Sequence, residues 1–181
     1  MFDPYEALPA LPRVEVTSES FVDGDVLPLN QVGGLLGTGG QDMSPHLKWD
    51  KLPDETKSIA ITCLDPDAPT GSGFWHLAVC NLPADLTHLS EGAFTPEGIH
   101  VELDHAEPVV LRNDGGLRGY VGAAPPPGHG AHRYIFAVHA LNVERLDVSE
   151  NTSPGMLGFM LFQHAIARGL ITGTFETPAS S

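Results

Sequence analysis

Two long apolar segments of the chain have the pattern of buried strands. Residues 58–64 are β-branched and apolar on both faces, which is typical of a central strand. Residues 132–141 alternate so that large apolar side chains share one face with His132, while Arg133 points the other way. The pattern therefore predicts two core strands, the second of which begins at a histidine.

A third apolar segment, residues 74–80, follows a short glycine-containing turn and also predicts a strand. Regular period-2 alternation places His76 on the same face as Phe74, Ala78 and Cys80. This segment also starts beside a histidine.

Weaker patterns fill the rest of the chain. Residues 13–17 predict a half-buried strand, and residues 26–29 predict an edge strand because they contain a proline. Residues 87–107 lack clear periodicity and predict a long surface excursion, with His88, His100 and His105 as ordinary exposed histidines.

One helix is predicted late in the chain. Ser153 suits the N-cap and Pro154 the first helical position. Apolar residues then recur at helical spacing until Gly169 closes the element, and residues 170–175 predict a last strand. The helix is expected either to pack on the core or to leave an apolar face for dimerisation.

Together these elements predict an all-β dominated protein, an antiparallel β-sandwich decorated by helices. The 181 residues and 41% hydrophobic content suit a single domain over residues 1–181. Residues 1–12 are expected to form a flexible N-terminal arm, and residues 176–181 a tail.

The charge balance narrows the range of partners. There are 9 Lys and Arg against 23 Asp and Glu, so the formal net charge is −14. Such an acidic chain argues against binding to nucleic acid or to anionic membranes. The sequence shows no signal peptide pattern and no apolar run long enough to span a bilayer, so a cytoplasmic location is expected.

Two rigid turns carry the candidate chemistry. The sequence Asp-Pro-Asp-Ala-Pro at 65–69 ends the first core strand, and prolines fix its backbone. Residues 122–131 contain three consecutive prolines and several glycines before His132. We predict that the two turns meet and form one small anion-binding pocket.

These motifs resemble the signatures of the phosphatidylethanolamine-binding protein family, most closely its bacterial branch, often called Raf-kinase-inhibitor-like. The matching features are Asp-Pro-Asp-Ala-Pro at 65–69, Trp75-His76, and Gly-x-His-Arg-Tyr at 130–134. Further matches lie at 44–49, 81–83, 119–122 and 162–165, so the resemblance covers residues 21–175. It implies a Greek-key sandwich with short helices, a homodimer, and no cofactor.

The resemblance also implies a pocket for phosphate or a phosphorylated head group. The residues it assigns to ligand binding are Asp65, Pro69, His76, Gly122, Ala124, Pro125, Pro126, His132 and Tyr134. Asp67, Trp75 and Arg133 are expected to support the site, with Asp67 capping backbone N–H groups or pairing with Arg133. Histidines, backbone N–H groups and a tyrosine hydroxyl are suitable donors to an anion.

Other functions of the same residues remain open. One carboxylate and two histidines could hold a divalent metal, although a rigid slot favours no metal. Asp65 and His132 could activate water as a weak phosphoester hydrolase, and Thr70 or Ser72 could act as nucleophile beside His76. A third alternative is a surface inhibitor of a kinase or a protease. Cys63 and Cys80 are expected to be buried reduced thiols, with a disulfide less favoured.

Overall fold

The protein is described by a computed structural model over residues 3–101, 103 and 107–179. Ten strands and one α-helix follow one another along the chain. They are β1 (Val16–Thr17), β2 (Leu47–Trp49), β3 (Ser58–Asp65), β4 (Phe74–Pro83), β5 (His88–Leu89), β6 (Phe94–Thr95), β7 (Gly98–Ile99), β8 (Val109–Val110), β9 (His132–Leu141), α1 (Pro154–His164) and β10 (Ala165–Phe175).

The largest sheet has five antiparallel strands in the order β10-β9-β3-β4-β8. Every residue of β3 is buried, as its apolar pattern predicts for a central strand. Because β9 runs antiparallel beside β3, the end of β3 and the start of β9 lie at the same end of the sheet, although they are far apart in sequence. Asp65 is the last residue of β3 and His132 is the first residue of β9.

A second sheet of three strands, in the order β1-β2-β5, covers one face of the large sheet. Val16, Leu47 and Leu89 of the small sheet belong to the same buried cluster as Ile61 and Phe136 of the large one. The opposite face of the large sheet carries α1, whose Leu157 and Leu161 pack in a second cluster. The fold is thus mostly β with antiparallel sheets and one short helix, as predicted.

Strand β4 departs from regular alternation. Cys63 pairs with Leu77 and Leu64 with Trp75, so His76 is an extra residue in β4 at a β-bulge. The prediction that His76 shares a face with Ala78 and Cys80 was wrong, because the bulge shifts the alternation by one residue. His76 contacts Tyr134 on the main-core face, whereas Ala78 and Cys80 pack on the α1 side.

The helix begins as predicted but ends early. The Ser153 hydroxyl accepts a hydrogen bond from the Met156 N–H at 3.2 Å, and Pro154 is the first helical residue. The helix ends at His164, and β10 starts at Ala165 with no loop between them. The predicted end at Gly169 was therefore wrong, because residues 165–169 pair with β9.

Two weaker predictions also differ from the structure. Residues 26–29 make a single strand bridge, between Val26 and Thr174, and Leu29–Gln31 form a short 3-10 helix. The segment 87–107 is no simple surface excursion, because it contributes Leu89, Ala93 and Phe94 to the main core. His88 and His100 are exposed, while His105 lies outside the described residues.

Both cysteines are buried free thiols. They lie in different clusters, Cys63 in the main core and Cys80 beneath α1, so the sheet separates them. Burial raises the pKa of the Cys80 thiol to about 12. Among the described residues, no helix is long and apolar enough to cross a membrane.

Candidate functional site

Asp65 and His132 form the centre of the candidate site. Asp65 Oδ2 lies 2.7 Å from His132 Nδ1, and the two residues are only 3% and 2% exposed. The other carboxylate oxygen, Oδ1, accepts the Asp67 N–H at 2.8 Å. The turn closes tightly at Gly73, which has φ 78°, and a Cβ there would lie 2.8 Å from the Asp65 carbonyl oxygen.

Asp67 and Arg133 form a pair beside this centre, the arrangement suggested by the sequence. Asp67 Oδ2 accepts hydrogen bonds from the Arg133 N–H at 3.0 Å and from Nε at 2.8 Å, and Oδ1 accepts one from Nη2 at 2.7 Å. These contacts hold the pKa of Asp67 below its usual value, against the opposing effect of burial. The pair fastens the 65–69 turn to the start of β9.

His76 lies on the same side of the sheet as the Asp65–His132 pair. Its Nδ1 lies 2.7 Å from the Val121 carbonyl oxygen, so Nδ1–H donates and Nε2 has no partner among the described residues. The ring contacts Phe74 and Tyr134, with centroids 4.8 and 5.1 Å apart. Burial lowers the pKa of His76, although the Val121 carbonyl and Asp65 oppose this shift.

Tyr134 contributes a buried hydroxyl. The residue is fully buried, and its hydroxyl makes no hydrogen bond of standard geometry with a described residue. Burial raises the pKa of Tyr134 far above its usual value, Asp65 adds to the shift, and the nearby Ala124 backbone opposes it. Because buried polar groups in native proteins are normally hydrogen-bonded, the Tyr134 hydroxyl is a candidate hydrogen-bond donor at this end of the sheet.

Asp42, which the sequence analysis did not identify, anchors the start of the 122–126 segment by accepting a backbone hydrogen bond. Asp42 Oδ1 accepts the Gly122 N–H at 2.7 Å, and Oδ2 accepts the N–H groups of Gly34 and Leu35 at 2.9 and 2.8 Å. The Gly122 N–H is therefore not free to bind a ligand. No sequence signal predicts this role, because Gly122 lies 80 residues away from Asp42 along the chain.

The other predicted residues differ in position. Pro125 is buried and Ala124 half-buried, whereas Pro69 and Pro126 are exposed. Trp75 is half-buried, and its backbone N–H donates to Asp114 Oδ2 at 2.8 Å, which anchors the start of β4. The structure therefore brings Asp65, His76, His132 and Tyr134 to one end of the sheet.

The nucleophile and metal alternatives find little support in the geometry. The Thr70 hydroxyl donates to the Gly73 carbonyl within its own turn, and Ser72 is exposed. Neither makes a hydrogen bond to His76. Across residues 3–101, 103 and 107–179, no three His, Cys, Asp or Glu side chains are grouped as metal ligands would be.

A cavity of about 1160 Å³ lies away from these residues. It runs between the N-terminal segment and β10 and is lined by Tyr5, Arg168 and neighbouring side chains. The Arg168 guanidinium lies 5.2 Å above the Tyr5 ring, and Tyr5 packs on the buried His139. None of the predicted ligand-binding residues lines this cavity.

Comparison with known proteins identifies the family. Residues 17–176 match the family model described as phosphatidylethanolamine-binding protein. The chain belongs to the phosphatidylethanolamine-binding protein family. Relatives within this family include the protein YbhB of Escherichia coli strain K12, 46% identical over 168 residues that span 90% of this chain and 100% of YbhB.

Solved structures agree with this assignment. The crystal structure of YbcL from E. coli, described as a new member of the mammalian PEBP family, matches with a TM-score of 0.84 and 40% identity, over 90% of this chain and 98% of YbcL. The structure of CT736 from Chlamydia trachomatis, described as a putative homolog of the phosphatidylethanolamine-binding proteins, matches with a TM-score of 0.72 and 28% identity, over 91% of this chain and 98% of CT736. The resemblance seen in the sequence motifs is thus confirmed at the level of family and fold.

Proposed function

We propose that this protein binds phosphoryl groups, free or carried on a head group, in a slot formed by Asp65, His76, His132 and Tyr134. The observation that carries the proposal is the Tyr134 hydroxyl, buried without a standard hydrogen bond beside the His76 ring. A phosphoryl oxygen is a strong acceptor for that hydroxyl. Membership in a family named for binding phosphatidylethanolamine supports the same ligand class.

Protonation of His76 is part of the proposed binding reaction. Because Nδ1–H is donated to Val121, the neutral ring offers only an acceptor at Nε2. Burial lowers the pKa of His76, so the free protein holds the ring neutral near pH 7. A bound anion favours the imidazolium, which donates from Nε2, so binding of an anion of fixed charge takes up a proton and strengthens as pH falls.

The acidic composition makes these local donors important. With a net charge of −14, the surrounding field opposes the approach of a phosphate dianion. Affinity must therefore come from short-range donors inside the slot. Free phosphate is therefore expected to bind weakly, and calorimetry and NMR measure such binding.

The test is titration of wild type, His76→Ala and His132→Ala with phosphate and with phosphoethanolamine. Removing one donor to a charged ligand is expected to weaken binding about 10- to 100-fold. His88→Ala, which removes an exposed histidine, is the matched control and should bind as wild type does. Wild-type affinity in both site variants would refute the proposal, while equal affinity for the two ligands would identify the phosphoryl group as the recognised part.

We also propose that the protein self-associates through α1. Met156, Phe159 and Phe162 are 52%, 56% and 52% exposed, and the two phenylalanine rings stack at 6.4 Å. Large apolar side chains grouped on one surface are characteristic of interaction sites. The molecular mass in solution tests this proposal.

A further inference from the structure

The His132 ring is occupied at both nitrogens. Nδ1 lies 2.7 Å from Asp65 Oδ2, and Nε2 lies 2.7 Å from His129 Nδ1. An anion cannot bind His132 through Nδ1, because the Asp65 carboxylate already takes that position and would repel it. Nε2 is therefore the nitrogen that an anion must reach, and His129 lies on it.

The hydrogen-bond roles of the two rings mean that His129 and an anion compete for Nε2 of His132. Asp65 as a carboxylate only accepts, so His132 Nδ1–H donates to it. If His132 is neutral, its Nε2 accepts a hydrogen bond from His129 Nδ1–H and has no donor to offer an anion. If His132 is an imidazolium, its Nε2–H donates to His129 Nδ1, and an anion must compete for that one donor.

His129 can leave this position without a change in the backbone. Its turn is fixed by a hydrogen bond from the His129 N–H to the Pro126 carbonyl at 3.1 Å and by one from the Gly128 N–H to the Thr177 carbonyl at 2.9 Å. The side chain itself is exposed, so rotation about its Cα–Cβ bond carries the ring into solvent. The flanking Gly128 and Gly130, with φ of 73° and 92°, add no side chain that would hinder that rotation.

We propose that His129 is a built-in competitor that determines the affinity of the phosphoryl slot. In the free protein its ring occupies Nε2 of His132, and the ligand displaces it on binding. The inference rests on the proposed phosphoryl-binding function and adds a residue that the family resemblance did not assign. It predicts that the side chain of His129 reduces affinity instead of contributing to it.

The experiment is calorimetric titration with inorganic phosphate at constant pH and ionic strength. Replacing His129 by Ala removes the competing hydrogen bond, so affinity is expected to rise about 3- to 10-fold. His129→Asn retains a short polar group near the Nδ1 position and should bind with an affinity between those of wild type and His129→Ala. His100→Ala, another exposed histidine, controls for loss of an imidazole from the surface and should leave affinity unchanged.

Two results would overturn the proposal. Unchanged affinity in His129→Ala would show that the contact does not limit binding. Weaker affinity would show that His129 contacts the anion directly as a ligand.

A second measurement separates this inference from the proposed function. The ¹⁵N chemical shift of His132 Nε2 in the ligand-free protein reports the contact with His129 directly, and it should change in His129→Ala but not in His100→Ala. If that shift changes while His132→Ala binds phosphate as wild type does, the contact exists but the slot is not the phosphate site. If His132→Ala abolishes binding and the shift does not change, the slot is correct and the competitor is refuted.

Discussion

At the scale of single residues, Asp42 is the main support behind the site. Its carboxylate accepts three backbone N–H groups from two chain segments, 34–35 and 122. Asp42 also adopts φ 54°, in the left-handed region that Asp and Asn tolerate better than Ala. Few other side chains could combine this backbone conformation with two acceptor oxygens.

Asp42→Ala is therefore expected to lower the free energy of unfolding by about 2 kcal/mol, because the buried Gly122 N–H and the partly buried N–H groups of Gly34 and Leu35 lose a charged partner. Chemical denaturation of the variant measures this change. Asp42→Asn tolerates the same φ and retains one acceptor oxygen, so it should cost about half as much. A change of less than about 0.5 kcal/mol in Asp42→Ala would contradict the role assigned here.

The sequence predicted which side chains lie together at the end of the sheet better than it predicted their contacts. The turn motifs indicated Asp65, His76, His132 and Tyr134, because proline and glycine fix where strands start and end. Asp42 was missed because its contact with Gly122 joins segments that lie far apart along the chain. His129 lies only three residues from His132, but residue types alone do not show that the turn brings the two rings together. No pattern in the neighbouring sequence predicts either contact.

At the scale of elements, long apolar strands were predictable and their irregularities were not. β3 and β9 are long, mostly apolar segments, and the structure has both as strands. The bulge at His76 leaves no mark on hydropathy, since residues on both faces of β4 are apolar, yet it decides which face the histidine occupies. Residues 165–169 keep helical apolar spacing, but pairing with β9 makes them a strand.

The exposed aromatic side chains of helix α1 allow the proposed self-association to be tested. Phe159→Ser with Phe162→Ser removes the stacked apolar pair and is expected to convert a dimer to a monomer in sedimentation velocity experiments. The change should leave the core intact, because Leu157 and Leu161 supply the buried face of the helix. Gln163→Ser, at a neighbouring exposed position, is the control.

A wild type that stays monomeric at the highest concentration that sedimentation allows would contradict self-association, as would a dimer that survives both substitutions. In the second case another surface would hold the two copies together.

At the scale of the whole molecule, buried histidines couple folding to pH. His139 is buried between Thr62 and Arg168, with Tyr5 packed on it, and burial together with Arg168 lowers its pKa to about 3. In the unfolded chain a histidine titrates near 6.5. As pH falls from about 6.5 towards 3, the unfolded state gains a proton that the folded state does not bind, so acid reduces stability.

The free energy of unfolding is expected to fall with pH in this range by up to about 1.4 kcal/mol per pH unit from His139. His139→Gln should lose that contribution, whatever its stability near pH 8. Denaturation curves between pH 4.5 and 7.5 measure the slope, and this window avoids the Asp67–Arg133 pair, whose contribution is lost only as pH falls below about 4. Equal slopes in wild type and His139→Gln would refute the assignment, and the exposed His88→Gln should match wild type.

The direct passage from α1 into β10 fixes the register of the longest strand. β10 contains Gly169 and Gly173, and glycine-rich strands hold their pairing weakly. A slip of two residues along β9 would keep every side chain on its own face, but it would have to drag the helix about 7 Å along the sheet, since no slack separates His164 from Ala165. The slip would also put residues that have side chains at the positions of Gly169 and Gly173. A Cβ would lie only 2.4 Å from Val16 at the first position and 2.3 Å from Leu27 at the second. The direct connection between α1 and β10 therefore allows this edge strand only one pairing register with β9.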